Sequence, residues 1–283
     1  MGNTKEAVKP DPIFSDIQRK DAMYIQRAFK DRRDYIRKSR TKLEDATFDD
    51  GLEDYVTNDA DHPGKTLAGF VNFALPLTAI YQGQVMQDIW ALYEMDGKKE
   101  GYFVDFGATN GTTLSNSYIL ERFFDWDGIV AEPNPTYHER LQQVRKCNVS
   151  TKCVHSRTGK SFTFICAVRP MFSRLGVASE GMTFEDEQIE QSIKVPTISL
   201  NDLLDEHNAP EVVDFISIDT EGSELDILST FDFEKRRVNM FAVEHNFEDR
   251  RQPIFDMMTK AGYIRRFPEM SRFDDWYIHK SML

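Results

Sequence analysis

The order of hydrophobic and polar residues between positions 100 and 280 predicts a sheet whose strands alternate with helices. Seven short apolar runs have the length and composition of buried strands. They lie at about 102–106, 128–131, 161–167, 215–219, 240–244, 262–266 and 275–279. Amphipathic stretches separate most of them, but too few residues separate the last two for a crossover helix, so those two should form an antiparallel hairpin. The pattern predicts an α/β fold with a Rossmann-like, seven-stranded, mostly parallel sheet and one reversed strand.

The stretch from Tyr102 to Pro135 has the order strand, glycine loop, helix, strand and acid, which is how a doubly wound fold holds a nucleoside. The loop reads GATNG, and an acid follows the second strand. Glycine lets the backbone approach a ligand closely, and a carboxylate about 20 residues past such a loop can bind the ribose hydroxyls. The predicted cofactor contacts in this stretch are Asp105, Gly107, Ala108, Thr109, Asn110, Gly111 and Glu132.

The spacing of the loop helps to choose the nucleoside. A dinucleotide site has the spacing G-x-G-x-x-G and seats a pyrophosphate at the start of a helix. This loop has G-x-x-x-G, and no lysine or arginine is near enough in sequence to suggest phosphate binding. S-adenosylmethionine fits better, since nearby acids stabilise its cationic sulfonium and amino groups. A nucleoside-fold dehydrogenase is the alternative, and an ordinary turn is the plainer interpretation, because glycine and asparagine are common in turns.

Two later segments add acids to the predicted sheet edge. Residues 212–228 have the pattern of a buried strand, an acid-rich turn (DTEGSE) and an apolar helix, and residues 239–247 that of a strand ending in Glu244 and His245. In open α/β sheets, ligands bind outside the carboxyl ends of the strands. The residues that we expect to meet at this edge are Gly107, Glu132, Asp219 and His245.

Five ordered motifs make the chain resemble a known family. They are YFVDFGATNG with LSNSYILE after it, GIVAEPNP, DFISIDTEGSELDIL, AVEHNF and DDWYI. Together they resemble the FkbM family of S-adenosylmethionine-dependent methyltransferases over roughly residues 80–280. The resemblance implies a class I methyltransferase fold and O-methylation, often of sugar hydroxyls on glycans or of secondary metabolites. Ser217 stands where many members carry a lysine, so the charge of the site stays open.

Methyl transfer to an alcohol needs a base, because a neutral hydroxyl is a poor nucleophile. The predicted catalytic residues are His245, which titrates nearest to neutrality, Asp219 and Glu221, with Glu244 as a further candidate. Asp219 and Glu221 with Glu244 could instead hold a divalent cation that binds two acceptor oxygens, and His245 is a further candidate ligand. Simpler roles are a structural pairing of His245 with an acid, and acids of the turn that cap the next helix or bind the cofactor's amino group.

Two more positions are predicted to contact an adenine ring. Asn134 follows the second strand, and Cys166-Ala167 ends the predicted third strand. The default interpretation of Cys166 is a buried core cysteine. The segment 169–193 comes next, and it could be a lid over the acceptor or an irregular surface excursion.

Composition narrows the class of partner. A formal net charge of −12 argues against nucleic-acid binding, where a basic surface supplies affinity. The sequence has no run of about 18 apolar residues, so we expect no transmembrane helix. The N-terminus also lacks the apolar core of a signal peptide. Three cysteines without C-x-x-C spacing indicate reduced thiols and a cytoplasmic setting. The expected partner is therefore a hydroxyl-bearing acceptor, either a carbohydrate or a secondary metabolite.

The chain should divide into two unequal parts. Residues 1–65 are predicted to form an N-terminal helical extension and linker, and residues 66–283 the methyltransferase domain. The predicted helix at 17–43 has a basic face, which is either an ordinary solvated face or a surface for anionic partners. A catalytically silent domain of the same fold, used for interaction through that helix, is the alternative to an enzyme.

Overall fold

The computed structural model describes residues 65–167, 173–175 and 189–283. The predicted N-terminal helix and nearly all of the linker lie outside the described residues, and so does most of the segment 169–193.

Helices and strands alternate along most of the described chain. The helices are α1 (Leu67–Leu77), α2 (Gln87–Glu94), α3 (Tyr118–Phe124), α4 (Pro135–Val144), α5 (Leu200–Glu206), α6 (Glu224–Ser229), α7 (Arg251–Lys260) and α8 (Pro268–Ser271). The strands are β1 (Tyr102–Phe106), β2 (Asp127–Ala131), β3 (Asn148–Ser150), β4 (Cys153–Val154), β5 (Ser161–Ala167), β6 (Arg174–Leu175), β7 (Ile189–Ile198), β8 (Val212–Ile218), β9 (Arg237–Glu244), β10 (Tyr263–Arg266) and β11 (Asp274–His279). None of these helices has both the length and the hydropathy needed to span a bilayer.

Seven strands form the main sheet, in the order β3-β2-β1-β8-β9-β11-β10. The pairs among the first five strands of this order are parallel, whereas β11 runs antiparallel to both β9 and β10. The predicted sheet with one reversed strand is thus confirmed, as is the final hairpin. The chain moves outward from β1 through β2 to β3 and then returns to β8 on the other side of β1. This reversal makes the carboxyl ends of β1 and β8 a topological switch point, where such folds bind ligands.

The predicted third strand was assigned to the wrong sheet. The third strand of the main sheet is β3, which has only three residues and therefore too short a pattern to be recognised. The strand at 161–167 exists as β5, but it belongs to a second sheet with the order β4-β7-β5-β6. The main partner of β5 is β7, an antiparallel strand that the sequence pattern did not reveal. The Cys166-Ala167 pair therefore ends a strand of the second sheet.

Two hydrophobic cores hold the layers together. Successive residues of a strand point to opposite faces, so Phe103 packs in the core under α1–α4 and Val104 in the core under α5–α7. In the first core, the rings of Trp90 on α2 and Trp276 on β11 stack with their centroids 5.0 Å apart. Both indoles are fully buried, and each contributes about 1.5–3 kcal/mol or more through burial. The stack fixes α2, and the loop before it, against the reversed strand.

Candidate active site

The carboxyl ends of β1, β2 and β8 border an open cleft. The main sheet and the loops that follow its strands contribute Phe106, Gly107, Thr109, Ala131, Glu132, Pro133, Asp219, Thr220 and Glu221. The second sheet and a residue near it contribute Cys153, Val154, Phe164 and Ser173. Two residues from other loops, Gln84 and Leu114, complete the described lining. The cleft thus lies where the strand order predicts a ligand.

Gly107 lets the ends of two neighbouring strands come together. Its φ is 72°, in the left-handed region that glycine tolerates. A Cβ atom at this position would lie 2.3 Å from the backbone carbonyl oxygen of Asp219. Only glycine therefore fits between the loop after β1 and the turn after β8.

Glu132 is fixed by two backbone donors. One carboxylate oxygen accepts a hydrogen bond from the N–H of Thr109 at 2.9 Å, and the other accepts from the N–H of Asn134 at 2.8 Å. Burial raises the pKa of Glu132 to about 7, although these two N–H groups act in the opposite direction. Each oxygen keeps a second lone pair. Glu132 is therefore an oriented acceptor in the cleft, at the position predicted to bind ribose.

Three carboxyl groups converge beside the turn after β8. Oxygen atoms of Asp219, Glu221 and Glu244 all lie within 4.8 Å of one another. Burial, together with the neighbouring acids, raises the pKa of Glu244 to about 12 and that of Asp219 well above its usual range. Like charges this close together cannot all ionise easily, so the group favours holding a proton. The group can hold a proton or a positive charge.

Further acids lie behind this group. Asp274 on β11 is the cross-strand neighbour of Glu244, and burial raises its pKa to about 7. The side-chain amide of Gln87 on α2 donates to Asp274 at 2.7 Å. Glu224 accepts from the N–H groups of Thr220 and Gly222, both at 3.0 Å. This helix-start acid therefore shapes the turn and does not enter the cleft lining.

Ser223 and Arg250 also belong to the turn. Ser223 stands at the N-cap of α6, but its hydroxyl donates to Thr220 and makes no capping hydrogen bond. Arg250 donates to the carbonyl of Gly222 at 2.6 Å, and its guanidinium lies 3.6 Å from the buried carboxylate of Glu224. Arg250 thus supplies a positive charge under an acidic turn.

His245 does not line the cleft. Its side chain is buried, and Nδ1 accepts a hydrogen bond from the N–H of Phe247 at 3.0 Å. Nε2 lies 3.7 Å from a carboxylate oxygen of Asp275 on β11. Burial opposes ionisation of Asp275, but the nearby imidazole of His245 and the hydrogen-bonded guanidinium of Arg251 outweigh it and keep the pKa of this carboxyl below its usual range. The structure thus gives His245 the contacts of a structural partner of Asp275, and the three-carboxyl group does not include it.

Several predicted cofactor residues support the cleft without lining it. The carboxylate of Asp105 is buried and accepts from the hydroxyl of Ser117 at 2.6 Å. Burial raises the pKa of Asp105. Asn134 caps α4 by accepting from the N–H of Thr136 at 3.1 Å, which explains why this helix begins after it. The other predicted residues outside the described lining are Ala108, Asn110, Gly111, Cys166 and Ala167.

Some lining residues were missed by the sequence reasoning. Cys153, Val154 and Phe164 reach the cleft because the second sheet packs there, and a two-residue strand such as β4 has no periodic signal. Gln84 reaches it because its loop is fixed by long-range contacts. The positions of these residues in the cleft could not be predicted without the tertiary structure.

Comparison with known proteins places the cleft in a family. The family model described as the methyltransferase FkbM domain matches residues 105–267, which is more than half of the chain. The chain belongs to the FkbM methyltransferase family. Among solved structures, it is similar to a precorrin-6y C5,15-methyltransferase from Geobacter metallireducens. That similarity has 12% identity, covers 70% of this chain and 92% of the other, and has a TM-score of 0.37. No curated protein matches the chain.

The FkbM match spans the main chemical features of the cleft. It begins on β1 and ends just after β10, so Gly107, Glu132 and the three-carboxyl group all lie within it. Gln84 lies outside the matched range, on the loop before α2.

Proposed function

We propose that the protein is an S-adenosylmethionine-dependent O-methyltransferase that acts on a hydroxyl of a sugar, a glycan or a secondary metabolite. The observation that carries the proposal is the cleft at the switch point, where Gly107 touches Asp219 and Glu132 is held ready by two N–H groups. Membership of the FkbM family supports methyl transfer. The hydroxyl acceptor is the part of the proposal that rests on the family resemblance and on the acids.

The charges of the cleft fit S-adenosylmethionine better than a dinucleotide. The described lining includes the carboxyl groups of Glu132, Asp219 and Glu221 and has no lysine or arginine. Carboxylates attract the sulfonium and ammonium groups of this cofactor and would repel the pyrophosphate of NAD. We expect Glu132 to accept from the ribose hydroxyls and the loop at Gly107 to allow close approach of the ligand.

The acceptor hydroxyl must lose its proton as its oxygen attacks the methyl group. S-adenosylmethionine supplies a methyl group on a positively charged sulfur. Asp219 lies in the cleft, and its carboxyl oxygen is within 4.8 Å of those of Glu221 and Glu244. The positive sulfonium of the cofactor favours an ionised carboxyl here, and burial among other acids makes that carboxylate a stronger base than an ordinary aspartate. We therefore place the base at Asp219, with Glu244 and Glu221 as its partners. The contacts of His245 favour the structural role that the sequence also allowed.

The same three carboxyl groups could hold a divalent cation. Carboxylate oxygens are the ligands that Mg²⁺ and Ca²⁺ prefer, and those of Asp219, Glu221 and Glu244 lie close enough to share one ion. A bound cation would orient two acceptor oxygens and favour the ionised form of the three carboxyl groups. Loss of activity on addition of a chelator distinguishes this use from the base alone.

Calorimetry on the full chain tests the proposed function. S-adenosylmethionine and S-adenosylhomocysteine should bind, and NAD should not. Preferential binding of NAD would replace the proposal with the dehydrogenase alternative. Binding of the adenosyl ligands with no methyl transfer to any member of a broad panel of sugar and small-molecule hydroxyls, followed with a labelled methyl donor, would favour the catalytically silent domain.

A further inference from the structure

A single exposed side chain interrupts a buried segment of the chain. Every residue from Ile80 to Glu94 is buried except Gln84. Gln84 lines the cleft. Within the part of the chain that the structure describes, its side-chain amide has no hydrogen-bond partner. The amide is therefore available to a ligand.

The loop that carries Gln84 is fixed on both sides. The carboxylate of Asp88 accepts from the N–H groups of Gln82 at 2.6 Å and Gly83 at 3.0 Å. On the other side, the side-chain carbonyl of Gln87 accepts from the N–H of Val85 at 3.0 Å. These buried contacts hold the backbone of residue 84 in place. A ligand therefore meets a donor whose main chain is already ordered, which lowers the entropy cost of binding.

Two long-range contacts tie this loop to the site. Gly83 forms an isolated bridge with Leu114, another lining residue. The amide of Gln87 donates to Asp274, which lies beside Glu244 across the strands. The position of Gln84 is thus set by the same elements that set the acids.

The charges of the described lining leave one part of the cofactor without an oppositely charged partner. The methionine part of S-adenosylmethionine carries an ammonium and a carboxylate. The acids suit the ammonium, but they repel the carboxylate. No cationic side chain is present in the described lining to offset that repulsion. The carboxylate therefore needs uncharged donors, and a glutamine amide offers two N–H groups.

We propose that Gln84 donates hydrogen bonds to the carboxylate of the methionine part of S-adenosylmethionine. The inference rests on the proposed function. It assigns one end of the cofactor to a loop outside the range matched by the FkbM family model.

The test compares two ligands that differ in this group. S-adenosylhomocysteine carries the amino-acid part, whereas 5′-methylthioadenosine has the same adenosine and a thioether but neither ammonium nor carboxylate. Calorimetry is done with both on the full-length protein and on Gln84→Ala. The variant should bind S-adenosylhomocysteine about 10- to 100-fold more weakly, the usual effect of losing a hydrogen bond to a charged group. Its affinity for methylthioadenosine should stay within about twofold of the parent.

Two further variants sharpen the comparison. Gln84→Glu places a like charge opposite the carboxylate and should weaken S-adenosylhomocysteine at least as much as Gln84→Ala. Gln142→Ala, which removes another exposed glutamine that does not line the cleft, should change neither affinity. All variants should melt near the parent temperature, because both glutamine side chains are exposed.

The binding results for the two ligands distinguish a failure of the Gln84 contact from a failure of the proposed cofactor. Equal weakening of both ligands by Gln84→Ala overturns the inference, because the residue would then shape the adenosine half of the site or the fold. Unchanged affinity for both ligands also overturns it. A parent protein that binds neither ligand overturns the proposed function and the inference together.

Discussion

The α-carbon of Gly107 faces the carbonyl oxygen of Asp219 so closely that a Cβ atom would lie 2.3 Å from it. This contact joins the loop after β1 to the turn after β8 at the centre of the sheet edge. The loop after β1 is the predicted nucleoside loop. The turn after β8 carries Asp219, the residue that we propose accepts the proton of the acceptor hydroxyl. Any displacement of one would therefore move the other.

Gly107→Ala should weaken S-adenosylhomocysteine by more than tenfold and lower the melting temperature. Alanine at a positive φ costs about 1 kcal/mol, and the clash with the backbone adds to it. The matched control is Gly159→Ala, because Gly159 has a similar φ of 75° but a Cβ atom there would have nothing within 4 Å. Equal effects of the two substitutions would mean that only backbone strain matters and that the contact with Asp219 does not.

Cofactor affinity should rise with pH through about 7 because of Glu132. Burial raises the pKa of this carboxyl from 4.5 to about 7, and an ionised carboxylate is the stronger acceptor for ribose hydroxyls. Calorimetry with S-adenosylhomocysteine at pH 6, 7 and 8 measures the effect. Glu132→Gln should bind S-adenosylhomocysteine on the order of tenfold more weakly at pH 8, and its affinity should no longer rise near pH 7. The control Glu139→Gln, at an exposed position on α4, should keep the rise in affinity.

The stability of the ligand-free protein should carry the opposite dependence. Because the folded state holds the proton on Glu132 more tightly than the unfolded chain does, this proton stabilises the fold below pH 4.5. That contribution is lost as the pH rises through about 7. Denaturant melts give the free energy of unfolding of the parent and of Glu132→Gln across this range. Plotted against pH, the two free energies should run parallel at low pH and differ in slope between pH 4.5 and 7. Parallel curves would show that Glu132 is ionised in the folded protein throughout.

Asp219→Asn should reduce methyl transfer by about 10²–10⁴-fold, the usual range for a positioned base. His245→Ala should instead lower stability, since it removes a buried partner of Asp275, and leave most of the turnover per folded molecule. Both variants are assayed with and without a chelator once the acceptor panel yields a substrate. A greater loss of turnover in folded His245→Ala than in Asp219→Asn would return the base to His245.

Deletion of residues 1–45 should leave cofactor binding intact. The described cleft is lined by Gln84 and by residues that follow it, and the first core begins on α1. Calorimetry on the shortened chain measures the effect. Loss of binding from a shortened chain that still melts cooperatively would mean that the N-terminal segment contributes to the site.

The parts of the site that the sequence could predict are those carried by local patterns. The glycine loop, Glu132 and the acid-rich turn each follow a strand with a strong apolar signal, so their meeting at one edge follows from topology. The direction of the His245 ring did not follow, because it depends on Asp275 of a strand that is distant in sequence. The wall formed by Cys153 and Phe164 also depends on tertiary packing, since the second sheet is built around β7.

The division of the lining between two hydrogen-bonded sheets has a consequence for how such a protein can diversify. The main sheet supplies the glycine loop and the acids, and its strand order leaves little freedom at these positions. Phe164 and Cys153 belong to the smaller sheet, whose strands pair only among themselves within the described residues, and both side chains pack in a small core of that sheet. Substitutions there can reshape the cleft while the strand pairing of the main sheet stays the same. New ligands could therefore be accommodated over evolutionary time by varying one sheet and preserving the other.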